Sequence, residues 1–238
     1  MSPAASLPRI LVIGTGDTKC DELQFMASVI TESGGQPVMV DVSILGDPPY
    51  VPDYSKHDIA KAAATSIAAI SESGDENNAM AAMACGAAAL TRALYEDGLV
   101  DGVIVLGGSM GTDLALDVAA VLPLGVPKFV VSTIAYSHLI PPERIAPDLM
   151  MILWAGGLYG LNSICRSVLS QACGAVVGAA KHGNQTGSHP PTDRHDLTRL
   201  FVPQIHEASA ARTGKARLRC RGIPCHRHGR PRLRGHRR

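Results

Sequence analysis

Residues 103–116 read VIVLGGSMGTDLAL, a stretch in which a strand passes directly into a helix. Val103 to Leu106 are four apolar residues, the pattern of a buried strand. A turn is then predicted by a group of small residues: Gly107, Gly108, Ser109, Gly111 and Thr112. The helix is predicted to start immediately afterwards, at DLALDVAAVL. Backbone amides at such a helix start can approach a phosphate or carboxylate, because no side chain intervenes. The alternative is a tight connection whose glycines only relieve crowding.

The same alternation of strand and helix extends to both sides of this stretch. Continuous apolar runs predict four more strands at Arg9–Gly14, Gln36–Val42, Pro127–Thr133 and Asp148–Leu153. Helical spacing follows the first strand over residues 22–33 and recurs at Lys56–Ile70, Asn77–Tyr95 and Ile164–Lys181. This order is typical of a doubly wound, Rossmann-like α/β domain. We predict one such domain over residues 8–182, with a mainly parallel sheet of about five strands and helices on both faces.

Polar turns follow three of these strands, after Ile13, Leu106 and Val131. In a doubly wound sheet the ligand lies at the carboxyl ends of the strands, near the point where the strand order reverses. The three turns therefore predict a ligand site along one edge of the sheet.

The first of these turns is GTGDTK, residues 14–19. It lacks the third glycine of the dinucleotide fingerprint and the GK[ST] ending of a Walker A loop. It offers the hydroxyls of Thr15 and Thr18, the carboxylate of Asp17 and the ammonium of Lys19, groups that suit a phosphate and a hydrated Mg²⁺. We predict that Lys19 neutralises phosphate and that Asp17 holds Mg²⁺ through water. The alternative is that Asp17 or Thr18 only caps the following helix.

A second class of function is suggested by Gly107-x-Ser109-x-Gly111, which matches the nucleophile elbow of serine hydrolases. Asp148 and His182 follow in the required order, with His138 as a spare histidine. Apart from this alternative, no general base is evident, so the sequence predicts binding and no particular reaction. A third possibility is a non-catalytic module that associates with itself.

A further Gly-rich turn, at Gly156–Gly157, has aromatic residues beside it. Trp154 and Tyr159 lie on either side of these glycines, and Asn162 follows. An aromatic ring here either stacks on a base or only packs in the core.

Four segments together resemble the ATP-binding domain family named after the tomato mosaic virus resistance protein: GTGDTKCDEL at 14–23, VDGVIVLGGSMGTDLAL at 100–116, LPLGVPKFVVST at 122–133 and PDLMMILWAGGLYGLNSIC at 147–165. The resemblance implies two Rossmann-like halves, ATP binding and self-association, for example as a homodimer. It assigns the nucleotide-facing loops to residues 14–19 and 107–112, with Ser132 and Thr133 nearby. Cys20 and Met110 stand where the family usually has glycine.

The charge of the chain divides at about residue 183. Residues 1–182 carry 9 Lys and Arg against 18 Asp and Glu, a net charge of −9, whereas residues 183–238 carry 13 against 3, a net charge of +10. The tail also lacks apolar periodicity, so we predict that it is disordered. A nucleic-acid-binding arm is the alternative, which we do not favour because the last part of the tail has no aromatic residue for base stacking.

A different origin for the tail is suggested by residues 224–237, PCHRHGRPRLRGHR. Codons for these residues can be chosen that, read one frame over, spell FHATGMGGRAFEAI. That peptide resembles the Gly-rich turn in the second half of the family. We therefore hypothesise a frameshifted remnant of a second α/β domain, which would leave a weak or inactive binder; the nucleotide sequence of the gene tests this.

The beginning of the chain has no signal-peptide pattern, because LVIGTG is short and is followed by charged residues. No apolar run reaches the roughly 18 residues of a membrane span. We therefore expect a cytoplasmic protein without a membrane segment.

Overall fold

Five parallel strands form the sheet of the computed structural model, which describes residues 6–72, 75–156 and 160–183 and the backbone of 218–220 and 223–225. Their order is β2-β1-β3-β4-β5. The strands are β1 (Arg9–Gly14), β2 (Gln36–Asp41), β3 (Gly102–Gly107), β4 (Lys128–Ser132) and β5 (Leu149–Leu153). The order is the flavodoxin-like version of the doubly wound fold, in which the strand order reverses between β1 and β3.

Helices cover both faces of this sheet, as predicted. They are α1 (Cys20–Glu32), α2 (Lys56–Ala62), α3 (Ile67–Glu72), α4 (Glu76–Glu96), α5 (Ser109–Val121) and α6 (Ser163–Gly183), with a 3₁₀ turn at Pro142–Arg144. Within the predicted tail, the structure describes only a short antiparallel pair, β6 (Leu218–Cys220) and β7 (Ile223–Cys225). The remainder of the tail lies outside the described residues.

Successive residues of each central strand point to two separate cores. Leu11, Ile13 and Val105 face α2, α3, α4 and α5, whereas Val12 and Ile104 face α1 and α6. All of these side chains are buried. Burial on both faces explains why the strands read as continuous apolar runs.

Two predicted element boundaries were wrong. The single helix expected over Lys56–Ile70 is divided in two by Ala64, which has a φ of 58°. The N–H of Thr65 donates to the carbonyl of Ala60, which ends α2 in the manner of a glycine C-cap. The turn expected to extend to Thr112 is shorter, because α5 already begins at Ser109.

The start of α2 is a capping box between Ser55 and Asp58. The Ser55 hydroxyl donates to Asp58 Oδ2 at 2.6 Å, and the Ser55 N–H donates to the same oxygen at 2.9 Å. These hydrogen bonds lower the pKa of Asp58. A carboxylate with a lowered pKa contributes stability above its ordinary pKa, and this contribution is lost as the pH falls through the folded-state value.

Replacing Ser55 with alanine should therefore destabilise the domain by about 1 kcal/mol at neutral pH. The deficit should shrink in acid, as the pH falls through the lowered pKa of Asp58 and its carboxylate becomes protonated in the parent protein as well. Urea unfolding at neutral and at acidic pH measures this difference in the free energy of unfolding. Ser66→Ala is the control, since Ser66 accepts a hydrogen bond from the N–H of Ala69 at the start of α3 and the described contacts pair it with no carboxylate. A deficit for Ser55→Ala that is the same at both pH values would contradict the assignment.

Of the helices described, α6 is the one whose length and composition would allow it to cross a membrane. Its apolar side packs against the sheet and α1 through Leu169, Cys173 and Val176, which are fully buried. The helix is apolar because it covers one face of the core.

Candidate functional site

A cleft of about 580 Å³ opens at the carboxyl ends of the neighbouring strands β1 and β3, whose following helices, α1 and α5, lie on opposite faces of the sheet. The loops after both strands line it, so the corner at Thr15 and the corner at Ser109 lie on the same edge. Eight of the predicted site residues line this cleft: Thr15, Asp17, Thr18, Lys19, Gly107, Gly108, Ser109 and Gly111. Of the three turns predicted to converge, those after Ile13 and Leu106 line one cavity, whereas the turn after Val131 does not line it.

The N-terminus of α5 opens into the cleft. Its cap is Gly108, which has no side chain to satisfy the first amides of the helix. The Thr112 N–H donates to the Gly108 carbonyl at 2.8 Å and closes the first turn. The amides of Ser109, Met110 and Gly111 precede that bond, so they have no partner within the helix. The first turn of α5 contains no acidic residue, so the positive end of the helix dipole is not compensated there.

Gly107 is required by a close approach of backbone to backbone. A β-carbon at this position would lie 2.6 Å from the Cα of Gly111 and 2.7 Å from its carbonyl carbon. A side chain at Gly107 would therefore push β3 away from the first turn of α5. Gly108 is less confined, since the nearest atom to a β-carbon there is Thr133 Oγ1 at 3.9 Å.

The loop after β1 is compact and holds the cation of the cleft. The Lys19 N–H donates to the Thr15 carbonyl at 2.9 Å, and the hydroxyls of Thr15 and Thr18 lie 2.8 Å apart. Lys19 Nζ lies 5.9 Å from the centroid of the Trp154 ring, within the range of a cation–π contact. Among the described residues, Lys19 is the single Lys or Arg that lines the cleft.

Asp17 is tied to the loop that follows β2. Its N–H donates to Ser43 Oγ at 3.1 Å, and its Oδ2 accepts from the Gly46 N–H at 3.2 Å. The same loop is fixed by Asp41, whose Oδ1 accepts from the N–H of Gly16 and from that of Ser43, both at 3.0 Å. Asp17 therefore joins two loops of the site and does not cap α1, because the N-cap of that helix is Lys19.

The outer part of this loop is held by Lys56, whereas the buried Tyr50 hydroxyl has no hydrogen-bond partner among the described residues. Lys56 is buried and donates to the Gly46 carbonyl at 2.8 Å, and it pairs with Asp47 at 2.8 Å. The hydrogen bond from Lys56 to Asp47 lowers the pKa of Asp47. Burial, followed by the charge of Asp41, raises the pKa of Tyr50 to about 12. The loop is thus a fixed wall of the cleft.

Other walls of the cleft were not predicted. The apolar part is contributed by the loop after β2, by α3, by α4 and by α5: Val42, Ile44, Leu45, Ile70, Ala79, Met80 and Leu114. Two acids at the start of α4, Asp75 and Glu76, also line it. Asp75 caps α4 by accepting from the Asn77 N–H at 2.9 Å, a role that its position before an Ala-rich helix could have indicated.

Four predicted site residues do not line the cleft: Gly14, Thr112, Ser132 and Thr133. Thr112 and Ser132 are buried, and their hydroxyls lie 2.6 Å apart. They connect α5 to β4 beneath the cleft. The Thr133 N–H donates to the Gly107 carbonyl at 3.3 Å, which also supports the turn from behind.

The hydrolase alternative is not supported by the geometry. Ser109 is the first residue of α5, and in the described parts of the chain the non-glycine residues with positive φ are Ala64 and Tyr136, so the strained turn of a nucleophile elbow is absent. Asp148 directly precedes β5, so it lies at the amino ends of the strands, opposite the cleft. There it pairs with Lys128 at 2.5 Å.

The expected histidines are not near Ser109 either. His182 follows Lys181, whose ammonium donates to the Ser33 carbonyl at 2.6 Å. Ser33 ends α1, so His182 also lies near the amino ends of the strands. His138 is exposed and, like His182, is not among the described residues that line the cleft.

Trp154 packs and presents no free face for a base. It is 2% exposed, and its ring fits against Gly156, where a β-carbon would lie 2.1 Å from the ring. Asn162 caps α6, accepting from the Cys165 N–H at 2.9 Å. Tyr159 lies outside the described residues.

Comparison with known proteins identifies the domain. Residues 8–185 match the model of the N-terminal domain of UPF0261, an uncharacterised protein family. A UPF0261 protein of Brucella suis biovar 1 (strain 1330) is 72% identical over 191 residues, which are 80% of this chain and 46% of that protein. A UPF0261 protein of Clostridium tetani is 32% identical over 173 residues, 73% of this chain and 43% of that protein.

More distant relatives come from tomato. The ToMV resistance protein Tm-1(GCR237) of Solanum lycopersicum is 29% identical over 211 residues, 80% of this chain and 26% of that protein. The chain thus spans about half the length of the bacterial relatives that it matches.

Proposed function

This chain belongs to the UPF0261 family, and from the geometry of its cleft we propose that it binds a phosphate-bearing nucleotide such as ATP. The observation that carries the proposal is the start of α5: the amides of Ser109, Met110 and Gly111 open into a cavity at the point where the strand order reverses. Amides and dipole together make such a helix terminus favourable for phosphate.

Lys19 supplies the positive charge for the phosphates. It already lies beside the cleft and is held there by the Trp154 ring. A partly exposed ammonium on a flexible stem can leave the ring for a phosphate oxygen, which is the stronger partner.

The apolar wall accepts the base and sugar of the nucleotide. Ile44 and Met80 come from two different elements and line the same cavity, together with Leu114. A volume of about 580 Å³ is in the range of small-molecule sites, which are mostly apolar with a few polar groups.

The residues present do not fit an Mg²⁺ ion held by Asp17. Its Oδ2 accepts from Gly46, and its Oδ1 is shut off from solvent with no partner among the described residues. Nor do those residues include a group of three metal-ligating side chains. Charge neutralisation is therefore assigned to Lys19 and the α5 amides alone. We propose no reaction.

Calorimetry on the full chain tests the proposal, with ATP, adenosine, tripolyphosphate and NAD as probes, each with and without Mg²⁺. We expect ATP to bind with little dependence on Mg²⁺ and tripolyphosphate to compete with it, while adenosine binds more weakly. Absence of heat and of thermal stabilisation with every probe would overturn nucleotide binding and favour the non-catalytic interaction module. If the parent protein showed an esterase activity that Ser109→Ala abolished, that result would instead support the serine hydrolase alternative.

Lys19→Met should weaken ATP binding about tenfold or more, because a hydrogen bond to a charged group contributes about 1.5–3 kcal/mol. The chain has one tryptophan, so its fluorescence reports on the Lys19 contact. We expect ATP to change Trp154 emission in the parent protein and to leave it unchanged in Lys19→Met.

The control for this variant is Lys61→Met, which removes an exposed lysine of α2 that does not line the cleft. It should bind ATP like the parent protein. Equal weakening by both substitutions would show a general charge effect and contradict the role given to Lys19.

A further inference from the structure

The two outer strands of the sheet, β2 and β5, differ in how far the domain covers their unpaired backbone side. The outer edge of β2 is closed by the domain itself: the Asp41 N–H donates to the Tyr54 carbonyl at 2.9 Å, and the Tyr54 N–H donates to the Met39 carbonyl at 3.0 Å. The Met39 N–H donates to Asp53 at 2.7 Å. This edge therefore offers few backbone groups to another chain.

The outer edge of β5 is open and apolar. Its sequence is LMMIL, with no charged residue, and all five residues are at least partly exposed. The Trp154 N–H donates to the Ser132 carbonyl on β4. Successive residues of a strand direct their backbone groups alternately to its two sides. Met151, three residues before Trp154, therefore directs its backbone groups to the free edge. Among the described residues, the N–H groups of Met151 and Leu153 have no partner on that side. Proteins rarely leave such an edge uncovered.

One side chain rests on this edge. The Tyr136 hydroxyl donates to the Met151 carbonyl, although Tyr136 is 77% exposed and has a φ of 62°. A left-handed conformation is costly for an aromatic residue and persists where the surroundings favour it. Tyr136 thus occupies one edge carbonyl without covering the strand.

Beside the strand is an apolar groove. The connection from β4 to β5 contains only a 3₁₀ turn, so it adds no helix to the face of β5 that Leu149 and Met151 share; α6 packs on the other face. The groove has a volume of about 290 Å³ and is lined mainly by Tyr136, Ile140, Pro142, Ile145, Leu149 and Met151. Leu139 and Leu153 extend the apolar surface and are each more than half exposed.

The end of the domain lies beside the start of this strand. A β-carbon on Gly183, the last residue of α6, would lie 3.7 Å from the Gly125 carbonyl oxygen. The Gly125 N–H donates at 2.8 Å to Asp148, the residue before β5. In the Brucella suis relative more than half of the protein is not covered by this chain, and the family's N-terminal domain ends at residue 185. The C-terminal half of such a relative therefore starts next to the β5 edge.

We propose that the β5 edge, with its groove, is the docking surface for the C-terminal half of full-length UPF0261 proteins. A segment of that half pairs with the free N–H groups of Met151 and Leu153, and its apolar side chains fill the groove. We propose the C-terminal half as the occupant, and not a second copy of this chain, because α6, the last helix of the domain, ends beside the start of β5. The inference is independent of ligand binding.

Amide hydrogen exchange tests this on two natural proteins, this chain and the full-length Brucella suis relative. The peptide that corresponds to Leu149–Leu153 should exchange at least about tenfold more slowly in the relative. The peptide at Gln36–Asp41, on the closed edge, should exchange alike in both. Equal rates at β5 would overturn the proposal. Protection of β5 in this chain that increases with its concentration would show that a second copy is the occupant, which also overturns it.

A chimera adds a variant test: residues 1–185 of this chain followed by the rest of the Brucella suis relative. Leu153→Asp should lower the Tm of the chimera by about 4 °C or more and leave that of the 238-residue chain unchanged. Val51→Asp, at a site 95% exposed after β2, should change neither. An unchanged Tm in the Leu153→Asp chimera would overturn the proposal, and should the chimera not fold, the exchange comparison decides.

Discussion

Replacing Gly86 with alanine is expected to lower the free energy of unfolding by about 3 kcal/mol or more. Gly86 lies where α4 crosses α2, and a β-carbon there would lie 2.0 Å from the Ile59 carbonyl oxygen and 2.9 Å from its carbonyl carbon. The obstacle is backbone inside a helix, so no side chain can rotate away. The two helices must separate, which opens the core around Met83. For a domain of this size the Tm should fall by about 6–12 °C.

Gly174→Ala is the matched control. Gly174 also lies inside a 21-residue helix, α6, but no atom is within 4 Å of a β-carbon built there. Its substitution should stabilise the protein by about 0.5–1 kcal/mol through helix propensity alone. Urea unfolding of both variants measures the difference. Similar free energies of unfolding for the two variants would contradict the close crossing of α2 and α4.

The sheet could be predicted from the sequence because burial on both faces leaves a continuous apolar run. The run RILVIG coincides with β1, and β3 to β5 agree with prediction within one residue at either end. The helices were less predictable where a boundary depends on geometry. Alanine favours helix, so nothing in the sequence indicated that Ala64 adopts a left-handed conformation and ends α2.

The strand-end loops of the candidate site could be predicted from the sequence, but the apolar residues that line the cleft could not. Gly-rich turns after parallel strands meet at one edge whatever the packing, so Lys19 and Ser109 could be assigned to one cleft. The apolar wall depends on how α3 and α4 cross the sheet, which no local pattern encodes. Thr112 and Ser132 resembled ligand-binding hydroxyls, but their mutual hydrogen bond is buried beneath the cleft.

Replacing Ser109 with aspartate is expected to weaken ATP binding about 100-fold or more while slightly stabilising the free protein. Ser109 is the first residue of α5, where a carboxylate interacts favourably with the helix dipole and contributes about 0.3–1 kcal/mol. The same carboxylate would stand beside the proposed phosphate position, and two like charges about 4 Å apart near a protein surface repel by about 4 kcal/mol. About two thirds of this repulsion, roughly 2.7 kcal/mol, already corresponds to a 100-fold loss in affinity. Binding and stability should therefore move in opposite directions, a result that damage to the fold cannot produce.

The control for Ser109→Asp is Ser163→Asp, which places the same charge on the first residue of α6. Ser163 does not line the cleft, so this variant should gain a similar stability and bind ATP like the parent protein. Calorimetry with ATP and thermal unfolding without ligand measure both quantities. If Ser109→Asp bound ATP as tightly as the parent, phosphate could not lie at the α5 amides, and the proposed orientation of the nucleotide would be wrong. If it bound tripolyphosphate weakly but adenosine unchanged, the loss would be confined to the phosphate end of the cleft, as the dipole argument requires.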